Sequence, residues 1–167
     1  MAQISAGIKL GYGASIDKAT WISGITSIPD IGGEPETLET TTLDNLKYTS
    51  YIAGLQDLGG SFGFEAYYTP ELVEAVKTAG VGKKNTWYLV FPDPIAAYYT
   101  WTGAAQSLPI TGVGVNEVIP TTLYITVEDE LTGPTKATIT YADGTTSTTV
   151  NGKPQSAITK VTAGEAA

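Results

Sequence analysis

Apolar residues at every second position leave a chain few choices, because they put one face of an extended strand in a core and the other face outside it. Residues 59–68 show this most plainly: Phe62, Phe64, Ala66 and Tyr68 share one face, and Gly63, Glu65 and Tyr67 the other. Ile8, Leu10 and Tyr12 follow the same period, as do Leu123, Ile125 and Val127 against Thr122, Tyr124 and Thr126. Residues 85–91 are apolar on both faces, with Trp87, Leu89 and Phe91 opposed to Tyr88 and Val90. That pattern predicts a strand covered on both sides, or paired with a neighbouring subunit at its edges. Residues 20–28 around Trp21 and the aromatic stretch 96–105 (Tyr98, Tyr99, Trp101) supply further strands, and Pro29-Asp30 and Pro92-Asp93-Pro94 act as stops.

One segment has helical spacing instead. Thr69 is an N-cap candidate, Pro70 sits where its missing N–H costs nothing, and Glu71 and Glu74 lie near the positive end of the dipole. Leu72, Val73, Val76 and Ala79 form a stripe, and Gly80 and Gly82 end it. The reading is seven or eight strands with one helix and no regular βα alternation. It predicts a mainly β fold: two packed antiparallel sheets, a β-sandwich or barrel, with one short flanking α-helix and a long loop. A chain of 167 residues suits one core. Composition shifts after Glu130, so residues 1–130 are read as the sandwich domain and 131–167 as a C-terminal hairpin or mobile extension. In that extension Lys136–Tyr141 pairs with Thr145–Val150 over Asp143-Gly144, and residues 162–167 fray.

The long loop, residues 30–57, carries Asp30, Glu34, Glu36, Glu39, Asp44 and Asp57 against Lys47 alone. Residues 36–42 read as a strand, and 43–55 as a loop with apolar side chains. A loop of that length and character calls for a covering surface, on a neighbouring subunit or on its own sandwich. Leu38, Leu43, Asp44, Leu46, Tyr48, Tyr51, Ile52 and Leu55 are the candidate subunit or inter-ring interface residues.

What the chain lacks limits its chemistry. It has no Cys, no His and no Arg; all nine basic residues are Lys. Ser-His-Asp catalysis, thiol nucleophiles and the usual Zn, Cu and haem ligand sets are excluded, as is bidentate Arg recognition of phosphate or guanine. A net charge of −8 disfavours binding to a phosphate backbone. Paired acids of the glycosidase type are not placed by any pattern. Glu128-Asp129-Glu130, with Asp143 or Asp44, reads as a cation site or, more simply, as a solvated acidic turn. Ten Tyr and three Trp offer a stacking surface or, more simply, core and interface, and Lys83-Lys84 an exposed turn. Neither a secretion leader nor an apolar span is expected, so assembly in the cytoplasm without a membrane follows. Catalytic, metal and cofactor residues are all expected to be absent.

The run from Gly33 to Asp44 (Gly-Glu-Pro-Glu-Thr-Leu-Glu-Thr-Thr-Thr-Leu-Asp), followed by Gly54-Leu55-Gln56-Asp57-Leu58-Gly59-Gly60, resembles the long-loop region of major tail tube proteins of long-tailed, siphovirus-type bacteriophages. The aromatic strand 62–68, the Thr69-Pro70 helix and the strand 87–91 follow that family's order. The resemblance covers residues 5–128. It implies a non-enzymatic virion protein whose copies form hexameric rings, stacked into a tube through which DNA passes without specific binding. The partners implied are other copies of itself, a tape measure protein, a tail terminator and baseplate or tail-tip proteins. The location implied is the virion tail, after a stage in the host cytoplasm. Two other readings stand beside it: a monomeric β-sandwich binding or adhesion module, and a tube subunit of a contractile or secretion device.

Overall fold

The computed structural model describes residues 7–32, 35–44, 47–56, 59–92, 95–110, 112–141 and 158–163. It is mainly β, as the alternation requires, with eleven strands among the described residues and one α-helix. In chain order the strands are β1 (Lys9–Tyr12), β2 (Thr20–Ile22), β3 (Ile25–Ser27), β4 (Pro35–Glu39), β5 (Tyr51–Gln56), β6 (Ser61–Tyr67), β7 (Lys84–Phe91), β8 (Ala97–Ala104), β9 (Pro120–Thr126), β10 (Thr132–Tyr141) and β11 (Ile158–Ala163). The helix α1 (Pro70–Ala79) lies between β6 and β7. A six-stranded antiparallel sheet has the order β11-β10-β8-β7-β1-β2, a smaller sheet the order β3-β6-β9, and β4 and β5 form a separate pair.

The two main sheets join at both margins. On one side, the stretch 20–28 expected as one strand is broken at Gly24, whose φ of 85° favours glycine. The break carries β2, in the large sheet, into β3, in the small one. On the other side, β8 divides its partners. Ala97, Tyr98 and Thr100 pair with β10, whereas Ala105 bridges Ile125 and Thr102 O accepts from Glu128 N at 2.9 Å. The crossing is tight at Gly103, where a Cβ would lie 1.7 Å from Thr126 O.

Alternation places the core between the sheets. Phe62, Phe64 and Ala66 from β6, Trp87 and Leu89 from β7, Trp101 from β8 and Leu123 and Ile125 from β9 are buried together. Each large side chain of this kind adds roughly 1.5–3 kcal/mol. Phe62 meets Trp101 edge-on at 5.2 Å and Phe64 stacks on it at 6.2 Å. Trp87 Nε1 donates to Gly103 O at 3.0 Å. The helix closes one flank with Leu72, Val76 and Ala79. Thr69 Oγ1 accepts from Leu72 N at 3.3 Å at its start, and Asn85 Nδ2 donates to Ala79 O at 2.8 Å at its end.

A second cluster occupies the other face of the large sheet: Ile16, Tyr88, Val90, Ala137, Ile139 and Val161. This is why β7 is apolar on both faces; both are covered within one chain. Residues 132–141 and 158–163 therefore pair into the six-stranded sheet. The partner of β10 beyond β8 is β11, with Ile139 opposite Val161. The turn expected at Asp143-Gly144 and the strand Thr145–Val150 lie outside the described residues. Thr162 and Ala163, expected to fray, are held in β11 opposite Thr138 and Ala137.

Candidate functional site

Leu38, Tyr51, Ile52 and Leu55 of the candidate interface residues sit on the β4–β5 pair, and here the structure corrects the sequence reading. Residues 51–56, expected as part of a loop, form a strand that returns along β4, with Leu38 opposite Ile52 and Glu39 opposite Tyr51. Thr40 N donates to Ser50 O at 2.7 Å and Ser50 N to Thr41 Oγ1 at 3.0 Å, extending the ladder toward the tip. Among the described residues these two strands pair only with each other. The long loop is therefore a hairpin arm. Gly54 lets the strands approach, since a Cβ there would lie 2.9 Å from Glu36 O.

Neither face of the arm packs into a core. Leu38 and Ile52, side by side, are 46% and 54% exposed, and Tyr51 and Leu55, from the other face of β5, are 60% and 89% exposed. Leu43 is fully exposed and Tyr48 83% exposed. Asp44 is exposed as well. Leu46 lies outside the described residues. The arm thus brings Leu38 and Ile52 together directly and spreads the rest along its length. An apolar surface of this extent, laced with Glu36, Glu39 and Asp44, has the composition of an interface.

Other candidates have simpler explanations. Most of the aromatic residues are core: Tyr12 lies 5.2 Å from Trp87, Tyr88 6.1 Å from Tyr98 and Phe91 5.7 Å from Tyr99. The acidic turn after β9 is answered by a lysine, with Lys84 Nζ 3.4 Å from Glu128 and 3.9 Å from Asp129. Exposed pairs of this kind contribute about 0–1 kcal/mol. Asp44 stands on the arm, and Asp143 is outside the described residues. No cluster of three acids able to hold a metal occurs among the described residues.

Three groups among the described residues have displaced titrations. Burial pushes the Tyr88 phenol above its ordinary value, helped by Tyr98 and Asp17. Burial lowers the Lys9 ammonium. A hydrogen bond with Ser15 holds the Asp17 carboxyl below the usual range. Tyr88 belongs to the second cluster, Asp17 follows its Ile16 in sequence, and Lys9 stands opposite its Val90 in register.

Sequence reasoning missed a second exposed apolar segment, the connection from β8 to β9. Ile110, Val113, Val115 and Val118 are 57%, 43%, 92% and 63% exposed. The signal was present as four aliphatic residues in a turn-rich stretch with glycines between them.

No protein-family model and no curated protein sequence matches this chain. Solved structures do. A chain of the virion of the native gene transfer agent particle superposes with a TM-score of 0.53 at 15% identity, covering 78% of this chain and 98% of that one. A chain of the tail of the empty gene transfer agent particle, refined helically with C6 symmetry, gives 0.53 at 14% identity over the same shares. A chain of the six-fold symmetrised baseplate of the anti-feeding prophage gives 0.52 at 14% identity, covering 80% and 97%. The fold of two joined sheets and one flanking helix is thus shared with chains of the gene transfer agent particles and of the anti-feeding prophage baseplate.

Proposed function

We propose that this protein is a structural subunit of a phage-type tail, and that its copies assemble as stacked hexameric rings to form the tail tube. The observation that carries the reading is the β4–β5 arm, a hairpin with large apolar side chains exposed on both faces. A two-stranded hairpin is marginal alone, and this one finds no third strand among the described residues. It is completed by another copy. The fold it shares with subunits of six-fold tail and baseplate particles supports a ring of six.

The role is mechanical rather than catalytic. The chain offers neither a His nor a Cys for proton or acyl transfer. Its net charge of −8 suits a conduit whose wall repels DNA, so the polymer passes without binding. Copies of itself, a tape measure protein, a tail terminator and tail-tip proteins are the partners of such a subunit, and the virion tail its location, reached from the host cytoplasm.

Likeness to a baseplate chain favours a second reading, in which the protein forms a single ring at the tail end of a contractile device. Negative-stain electron microscopy with light scattering, as concentration and salt are raised, separates the two. Hollow tubes of stacked rings support the tube subunit; isolated rings that never stack support the baseplate reading. A monomer at every concentration that also binds a glycan would overturn both in favour of a binding module.

A further inference from the structure

The arm and the exposed β8–β9 connection leave opposite ends of the small sheet. The arm's return strand re-enters where Ser61 faces Thr126, and Val127 N donates to Gly60 O at 2.9 Å there. The β8–β9 connection first runs back along β9: Ala105 bridges Ile125, Gln106 N donates to Tyr124 O at 2.9 Å, and Thr121 Oγ1 donates to Pro109 O at 2.7 Å. It then makes an excursion, described at residues 110 and 112–119, before Ile119 O accepts from Tyr68 N at 2.9 Å, beside the Tyr67–Pro120 pair. Their points of departure are separated by the seven residues of β6, roughly 23 Å at about 3.3 Å per residue.

The excursion has local order of its own. Gly114 N donates to Glu117 Oε2 at 2.9 Å, and Asn116 takes a left-handed φ of 62° that its side chain tolerates. Ile110, Val113, Val115 and Val118 remain exposed around it. A chain rich in threonine that nonetheless places valines in water marks a surface meant to be covered.

We propose that the 110–119 loop is the docking surface for the β4–β5 arm of the next copy along the tube, so that rings are joined arm to loop. The inference rests on the tube reading and adds the receiving surface to it. Two considerations select a second copy's arm as the occupant. An arm-to-arm contact would be isologous and would close as a dimer, whereas two different surfaces at opposite ends generate an open stack. Facing arms would also oppose Glu36, Glu39 and Asp44 with their own copies, whereas Glu117 is the sole charged residue from 110 to 119 and already accepts a hydrogen bond. Six such contacts around a ring act together.

The chain has no cysteine, so single-cysteine variants report without background. Ile52→Cys and Val115→Cys chains, carrying different affinity tags, are mixed under conditions of assembly and treated with a bifunctional thiol cross-linker. Products are read on gels, with microscopy of the same samples. The expected result is tubes in which the mixed I52C–V115C product exceeds either like–like product at least fivefold. Tubes with mainly I52C–I52C product, or with no mixed product, overturn the arm-to-loop contact and leave the tube reading standing. Neither tubes nor mixed product at any concentration overturns both. Val115→Glu, at a side chain 92% exposed in the monomer, provides the second measurement. Its melting temperature is expected to match that of the parent while the concentration needed for stacking rises at least tenfold. Unchanged stacking by V115E would also sink the proposal.

Discussion

At Gly103 the backbones of β8 and β9 approach so closely that a side chain has no room: an added Cβ would lie 1.7 Å from Thr126 O and 2.7 Å from Thr126 C. Backbone cannot swing away as a flexible side chain can, so Gly103→Ala must part the two sheets at their junction. The same residue's carbonyl accepts from Trp87 Nε1, so parting the sheets also strains a buried hydrogen bond. The expected cost is about 3 kcal/mol, or a fall in melting temperature of roughly 6–12 °C for a chain of this size, measured by circular dichroism. A second residue-scale effect concerns Tyr88, 7% exposed and held above its ordinary value of 10.0 first by burial, then by Tyr98 and Asp17. The folded state retains the proton more tightly than the unfolded state. Stability is therefore complete below pH 10 and is lost as pH rises through the elevated folded value. Urea midpoints taken from pH 9 upward are expected to fall in the parent, and to fall less steeply in Tyr88→Phe, which has no phenol to ionise.

At the scale of elements, the arm is predicted to be dispensable for folding and necessary for assembly. Its strands pair only with each other among the described residues, so replacing residues 33–56 with a short glycine-serine linker removes little of either core. The melting temperature is expected to stay within about 3 °C, because surface changes are usually worth less than ~0.5 kcal/mol each, while tubes disappear from electron micrographs. A large loss of stability would show instead that the arm packs on its own sandwich. The contrast between the arm and β6 also explains which elements the sequence disclosed. In β6 one face is buried, so Phe62, Phe64 and Ala66 announce themselves by alternation. β5 has no buried face, and Tyr51, Ile52 and Leu55 consequently follow no period that tells strand from loop. β10 was legible as extended chain, but its partner lies beyond residues 142–157, and only Ala137 and Ile139 of its inward side speak for burial. The arm as a candidate surface was legible because leucines and tyrosines in an acidic stretch are incongruous. The 110–119 loop was not, because glycine and asparagine between its valines read as simple connection.

On the scale of the whole molecule, assembly sets a short-range attraction against a long-range repulsion. Each copy carries a net charge of −8, and the arm that makes the proposed contact is itself acidic, with Glu36, Glu39 and Asp44 beside its apolar side chains. Two like charges 10 Å apart in water repel by about 0.4 kcal/mol, so a ring of six copies meeting another ring accumulates a barrier of several kcal/mol. Salt acts on this term first: the screening length falls from about 10 Å at 0.1 M to about 3 Å at 1 M. The attraction, burial of Leu43, Tyr48 and Leu55 among others, is not screened and is strengthened by salts excluded from apolar surface. Ionic strength therefore has a definite sign here. Between about 0.05 and 0.5 M sodium chloride the protein concentration at which tubes form is expected to drop at least tenfold, followed by light scattering and confirmed by microscopy. The Glu39→Gln, Asp44→Asn double variant should shift the same curve toward lower salt, because it removes repulsion without touching the apolar contact. If salt instead dissolves the tubes, the rings are held by ion pairs such as those a lysine makes with an acidic turn, and the arm's apolar residues are not what joins them.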